Sequence, residues 1–263
     1  MMMRNSYVLK IISLVCLASP AFSDGLVDSG GDLVATPAPV VCIDPGHPSE
    51  TSAGTVSRDG TLTERHMDWI VALRLQKLLV GAKIRVVMTK SSEFETVTNR
   101  RRAEIANAAG AILFLRLHCD SAPTQGIAFY YPDRQGRAHG VTGPSADVLA
   151  SSRRAAAIVH DGAMPVLVGQ LRDRGVHGES ATLIGARQGA LTGSIFSRVP
   201  AVTVEMVVLT DEHDFALART AVGQEALAQA LFAGVMAWVP KAHGPSLAPP
   251  PKKPNAGWST GAS

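Results

Sequence analysis

The chain has 263 residues, 46% of them hydrophobic and only 5% aromatic. That is enough to bury one sizeable core, and length alone permits one domain or two. The formal net charge of +3 is close to balance, and no basic stripe or patch marks a nucleic-acid surface, so no nucleic-acid partner is expected.

Residues 1–23 read as a signal peptide. Arg4 and Lys10 give a positive head, "IISLVCLASPAF" a short apolar stretch, and Ala21 and Ser23 the small residues a signal peptidase needs. The apolar run is short for a membrane span, and no other stretch is expected to cross a bilayer. Val15 stands before Cys16 where lipid attachment would want a small residue. The mature chain is therefore expected to be secreted across the inner membrane, into the periplasm, with no transmembrane segment. Residues 24–39 read as a linker. Residues 240–263, rich in Pro, Ser, Gly and Lys, read as a disordered tail. One domain, 40–239, remains.

Within it, strand and helix patterns alternate. "VVCID" is a strand. "LTERHMDWIVALRLQKLLVG" is a helix, with Met67, Ile70, Val71, Leu75, Leu78 and Leu79 on one stripe and Gly81 as its stop. "IRVVMT" is a strand, "NRRRAEIANAAG" a short helix, and "AILFLRLH" and "GIAFYY" are strands. "ADVLASSRRAAAIVHDGA" is helical, "AVTVEMVVL" is a strand, and "QEALAQALFAGVMAWV" is the last helix. Near-continuous apolar strands between helices predict a single α/β domain: a mixed, mostly parallel sheet with helices on both faces. Ligands of such sheets gather beyond the carboxyl ends of strands. Export permits a Cys42–Cys119 disulfide. Each cysteine lies in or at the end of an apolar run, which favours a small buried hydrophobe.

Four residues stand out. His47 follows the first strand, Glu64 opens the long helix, His118 ends a strand, and Glu205 sits among valines. A carboxylate in that company costs several kcal/mol to bury without a partner. Two imidazoles and a carboxylate are a common zinc set that leaves a position for water. A glutamate in apolar surroundings suits a general base. Each residue also has an ordinary reading. His47 fits a turn, Glu64 a capping box with Thr61, His118 a satisfied core histidine, and Glu205 a salt bridge with Arg116. Arg100, Arg101 and Arg102 read mainly as a solvated helix face. His66, His139, His160, His213 and His243 read as solvated or structural.

Taken in order, these segments resemble the zinc-dependent N-acetylmuramoyl-L-alanine amidases of the type 3 family. The resemblance rests on "IDPGH" with His47, Glu64 at a helix start, "RAEIAN" from Arg102 to Asn107, "LFLRLHCDS" with His118, "RGVHGES" at 174–180, and "VPAVTVEMVVLTD" with Glu205. It implies that His47, Glu64 and His118 hold Zn²⁺ and that Glu205 is the catalytic glutamate. It also implies peptidoglycan as substrate, cut between the lactyl group of N-acetylmuramic acid and L-alanine. Asp44 would accept a hydrogen bond from a ligand histidine or serve the Pro45-Gly46 turn. The chain departs from the family pattern at Pro48-Ser49, at Arg116-Leu-His-Cys-Asp, and at Glu205-Met-Val-Val. Those departures keep two other readings in view: a non-catalytic wall-binding relative, and a zinc amidohydrolase for another peptide. Arg116 and His177 are further candidates for substrate contact. Residues 175–200 have room for short insertions, and no protein activator is identifiable.

Overall fold

The computed structural model describes residues 38–242. The signal peptide expected at 1–23, nearly all of the linker at 24–39, His243 and most of the tail from 240 lie outside the described residues.

Among the described residues, eight strands and seven α-helices follow in chain order: β1 (Val40–Pro45), α1 (Glu64–Gly81), β2 (Arg85–Met88), α2 (Asn99–Ala108), β3 (Leu113–Asp120), β4 (Ile127–Tyr131), β5 (Gly136–Ala138), β6 (Val141–Gly143), α3 (Ala146–Leu167), β7 (Asp173–Gly178), α4 (Leu183–Gln188), α5 (Thr192–Ile195), β8 (Ala201–Val208), α6 (Glu212–Ala218) and α7 (Ala221–Ala242). Six strands form one sheet in the order β2-β1-β3-β8-β4-β7, and β5 and β6 make a separate hairpin. β2, β1, β3 and β8 are parallel, β4 runs antiparallel to β8, and β7 runs parallel to β4. The mixed, mostly parallel sheet expected from the sequence is therefore present. The sequence reading placed no strand at β7 and no elements at β5, β6, α4, α5 or α6. These are short or exposed, and carry no run of alternating or continuous apolar residues for a pattern to register.

The two faces of the sheet differ. Val41, Ile43, Leu113, Leu115, Leu117, Val202, Val204 and Met206 face a large core closed by α1, α3 and α7. Met67, Val71, Leu75 and Leu79 of α1 are fully buried there, each contributing about 2 kcal/mol by leaving water. The alternate residues point the other way. On that face Cys42, Phe114 and Ala201 pack in a small cluster with Ala103 and Ala106 of α2. Beyond them the same face turns polar, with Asp44, Arg116, Thr203, His118 and Glu205. Cys42 and Cys119 are both buried free thiols, in the smaller and the larger cluster respectively. Opposite faces of the sheet explain why they form no bridge.

Some sequence expectations change in detail. The capping box does not form: α1 starts on Thr63, whose Oγ1 accepts from the His66 N–H, while Thr61 Oγ1 donates to Asp59. This frees the Glu64 carboxylate from the helix end. α3 continues to Leu167 through Pro165, and α7 reaches Ala242, past the expected tail boundary. α7 is also long and apolar enough by composition to cross a bilayer. Its Leu227, Leu231, Val235 and Trp238 are packed in the main core, which accounts for its apolar character.

Candidate metal centre and cleft

β1 delivers His47 by a turn that only glycine permits. A Cβ on Gly46 would stand 2.6 Å from Asp68 Oδ2 and 2.7 Å from His118 Cε1, distances real side chains do not tolerate. The Gly46 N–H continues the ladder to Leu117 O at 2.9 Å, so His47 and His118 leave neighbouring strands side by side. Their rings meet edge to face with centroids 5.1 Å apart.

Two buried cations pin the turn. Arg102 donates to the carbonyls of Pro45, Pro48 and Val97 and to Asp44 Oδ1 at 2.6 Å. Lys90 Nζ donates to the carbonyls of Gly46, His47 and Glu93. Burial draws the Lys90 ammonium down to about 8. Arg102 is thus a core residue and not part of a solvated face; its neighbours Arg100 and Arg101 are the exposed ones.

Asp44 touches neither histidine ring, contrary to the first expectation for it. It is buried and accepts from Thr89 Oγ1, Arg102 Nη1 and, at 3.1 Å, Arg116 Nε. Burial alone would raise its carboxyl, but Arg102 and Arg116 hold it at about 2. The pairing considered for Glu205 and Arg116 is likewise absent, because Arg116 is turned to Asp44 and to Asn99 Oδ1.

His47, Glu64 and His118 each direct one ligand atom into a common space, all within 4.8 Å of one another. Glu64 Oε1 lies 3.2 Å from His47 Nε2 and 3.0 Å from His118 Nδ1. Its carboxylate also accepts from the N–H groups of Thr55 and Cys119. Burial pushes Glu64 up, yet the hydrogen bonds with His118 and His47 outweigh it, and the carboxyl lies well below its ordinary range. Burial also lowers His118, against the pull of Glu64. The His47 Nδ1–H donates to Ser52 O at 3.2 Å, which holds the ring with Nε2 facing Glu64. Two imidazole nitrogens and a carboxylate oxygen converging in this way form a donor set that binds a divalent cation. The residues present therefore fit a metal ion.

Glu205 is the register partner of His118 on the adjacent strand. Its Oε2 is buried and meets no hydrogen-bond partner among the described residues. Burial, then the charges of Glu64 and Asp120, push its carboxyl well above the ordinary range, and Arg174 and Arg116 only partly offset them. All four residues line one cleft of about 560 Å³, together with Asn99, Arg102, Arg116, Asp120, Arg187 and Thr203. His177 is not among its lining residues; its ring packs on Tyr130 and its Nε2–H donates to Arg174 O. His66, His139, His160 and His213 also stay out of it.

Sequence reasoning missed Lys90, Asn99 and Thr203. Lys90 closes the run "VVMTK", and a cation directly after a buried strand was the available signal. Asn99 and Thr203 carried none.

The fold and the side chains together define an α/β domain with a candidate two-histidine, one-carboxylate metal site and a buried glutamate beside it. Residues 41–237 match the family model described as N-acetylmuramoyl-L-alanine amidase (Amidase_3), and the chain belongs to that family. It is 24% identical over 200 residues to the N-acetylmuramoyl-L-alanine amidase CwlM of Mycobacterium tuberculosis, covering 74% of this chain. It spans only 44% of that relative's length. Among solved structures, the fold is shared with Ami1 from Mycobacterium smegmatis (TM-score 0.64, 19% identity, 77% of this chain and 97% of that one). It is shared too with AmiC2 of Nostoc punctiforme (TM-score 0.61, 20% identity, 77% and 97%).

Proposed function

We propose that this protein hydrolyses the amide between the lactyl group of N-acetylmuramic acid and L-alanine of the peptidoglycan stem peptide, acting outside the cytoplasm. One observation carries the reading most: three ligand side chains from remote segments converge within 4.8 Å, with Glu205 on the neighbouring strand beside them. Membership of the family and the amidase activity in the name of the CwlM relative support it.

His47, Glu64 and His118 would hold the ion. Two imidazole nitrogens and a carboxylate oxygen suit Zn²⁺ better than Mg²⁺ or Ca²⁺, which favour all-oxygen sites. When bound, Zn²⁺ supplies Lewis acidity to a carbonyl and to water. The chain's own residues do the rest. The buried Oε2 of Glu205 meets no hydrogen-bond partner among the described residues, so no neighbour there competes for it as it takes a proton from the attacking water. Its raised carboxyl then holds that proton and passes it to the departing L-alanine amine. Such a positioned acid-base group contributes about 10²–10⁴-fold in rate. Arg102 and Lys90, gripping backbone carbonyls on both sides of His47, keep its ring aimed at Glu64.

The test is digestion of purified sacculi by the zinc-loaded protein. Free stem peptides and peptide-free glycan are expected, with release abolished by a chelator and restored by Zn²⁺. Release of disaccharides or of shortened peptides would overturn the bond assignment.

A further inference from the structure

The cleft is lined by three carboxylates, Glu64, Asp120 and Glu205, and by three guanidiniums, Arg102, Arg116 and Arg187. Asp44, Arg116 and Thr203 are register partners across β1, β3 and β8, one rung before His118 and Glu205 on the same face. Two residues along a strand is about 7 Å, so the guanidinium sits beside the metal centre within one cleft.

Charge is not balanced on that rung. One carboxylate, Asp44, faces two guanidiniums, Arg102 and Arg116. Glu179 is taken up by Ser194 Oγ and the Leu191 N–H and makes no ion pair with Arg116. Arg116 is 3% exposed. It has five N–H donors, and only Nε and one on Nη2 are spent, on Asp44 and Asn99. No described residue accepts from Nη1. Beside it, Thr203 Oγ1 is buried with no partner among the described residues. α5 closes the wall behind: a Cβ on Gly193 would stand 2.9 Å from the Arg116 Cζ, so glycine is what lets that helix settle against the guanidinium.

We propose that Arg116 binds a free carboxylate borne by the second residue of the stem peptide, and so distinguishes a free from an amidated stem. This rests on the amidase reading above. With the scissile amide at the metal centre, the peptide runs on from the released amine. An extended chain advances about 3.3–3.6 Å per residue, which brings the backbone carboxylate of the second residue about 7 Å from the bond that is cut. A carboxylate meets the unspent N–H donors of Arg116 there. A carboxamide gains no charge-assisted bond.

The test compares kcat/KM for N-acetylmuramoyl-L-alanyl-D-glutamate and its D-isoglutamine counterpart, which differ only in that carboxylate. If only sacculi are cut, the two compounds are compared as competitive inhibitors of that digestion. The wild type is expected to favour the free acid by about tenfold or more. Arg116→Gln should bring the ratio close to one. Arg116→Lys should leave an intermediate ratio, because it keeps the charge and loses the fork. Should Arg116→Gln fail to fold, the lysine variant decides, and a ratio as large as the wild type's overturns the proposal. A wild-type ratio near one, or favouring the amide, also overturns it while leaving the amidase reading intact. Failure to cut either compound or sacculi removes the amidase reading itself.

Discussion

Replacing Asp44 by asparagine removes one charge and almost no volume, from a site where two arginines depend on it. Asp44 is fully buried, and Arg102 and Arg116 are 1% and 3% exposed. Its carboxyl is held at about 2 against an ordinary 3.8, which at about 1.4 kcal/mol per unit corresponds to roughly 2 kcal/mol of stability at neutral pH. Leaving a buried charge without its partner costs about 3–5 kcal/mol, and the asparagine carbonyl retains one acceptor. Asp44→Asn should therefore lose about 2–4 kcal/mol, a fall in Tm of about 5–15 °C for a domain of this size. Urea denaturation at pH 7 measures it as a lower midpoint with an unchanged slope. Because the folded carboxyl is depressed, its contribution is present above pH 3.8 and is lost as the pH falls towards about 2. The gap between wild type and variant should close over that window. The double variant Asp44→Asn/Arg102→Met should lose less than the two single losses added, since each leaves the other's orphan behind. A loss below about 0.5 kcal/mol, the scatter of ordinary surface substitutions, would refute the reasoning.

Two further outcomes are expected. Glu205→Gln should bind Zn²⁺ and gain thermal stability from it as the wild type does, yet lose turnover by about 10²-fold or more; an unchanged rate would remove Glu205 from the mechanism. Glu179, buried against Ser194 and Leu191, is raised by burial to about 7. Its share of stability is complete below the ordinary carboxyl range and is lost as the pH rises through about 7. Glu179→Gln should flatten that decline between about pH 4.5 and pH 7 in thermal melts, and a decline equally steep in both proteins would refute the assignment.

The sequence made the scaffold legible wherever apolar periodicity was strong. The stripe Met67, Val71, Leu75 and Leu79 placed α1, and the runs of β1, β3 and β8 placed the centre of the sheet. His47, Glu64, His118 and Glu205 were legible because each interrupts such a pattern at a strand exit, a helix entrance or a strand interior. What supports them was not. Arg102 stands in a run of three arginines, and nothing in that run says which one turns inward. Asp44 sits next to a proline-glycine turn, which gave it a plausible local task and hid its long-range one. Thr61 and Glu64 have capping-box spacing, but Thr63 takes the cap because the Glu64 carboxylate is drawn to two histidines and two backbone amides. In each case the deciding contact is remote in the chain, where spacing carries no information.

β8 lies between β3 and β4 and is hydrogen-bonded along both sides, whereas His47 hangs from a turn and Glu64 from the first residue of a helix. The residue proposed to carry the proton therefore lies in the interior of the sheet, while the buried cations Arg102 and Lys90 fasten the turn that carries His47.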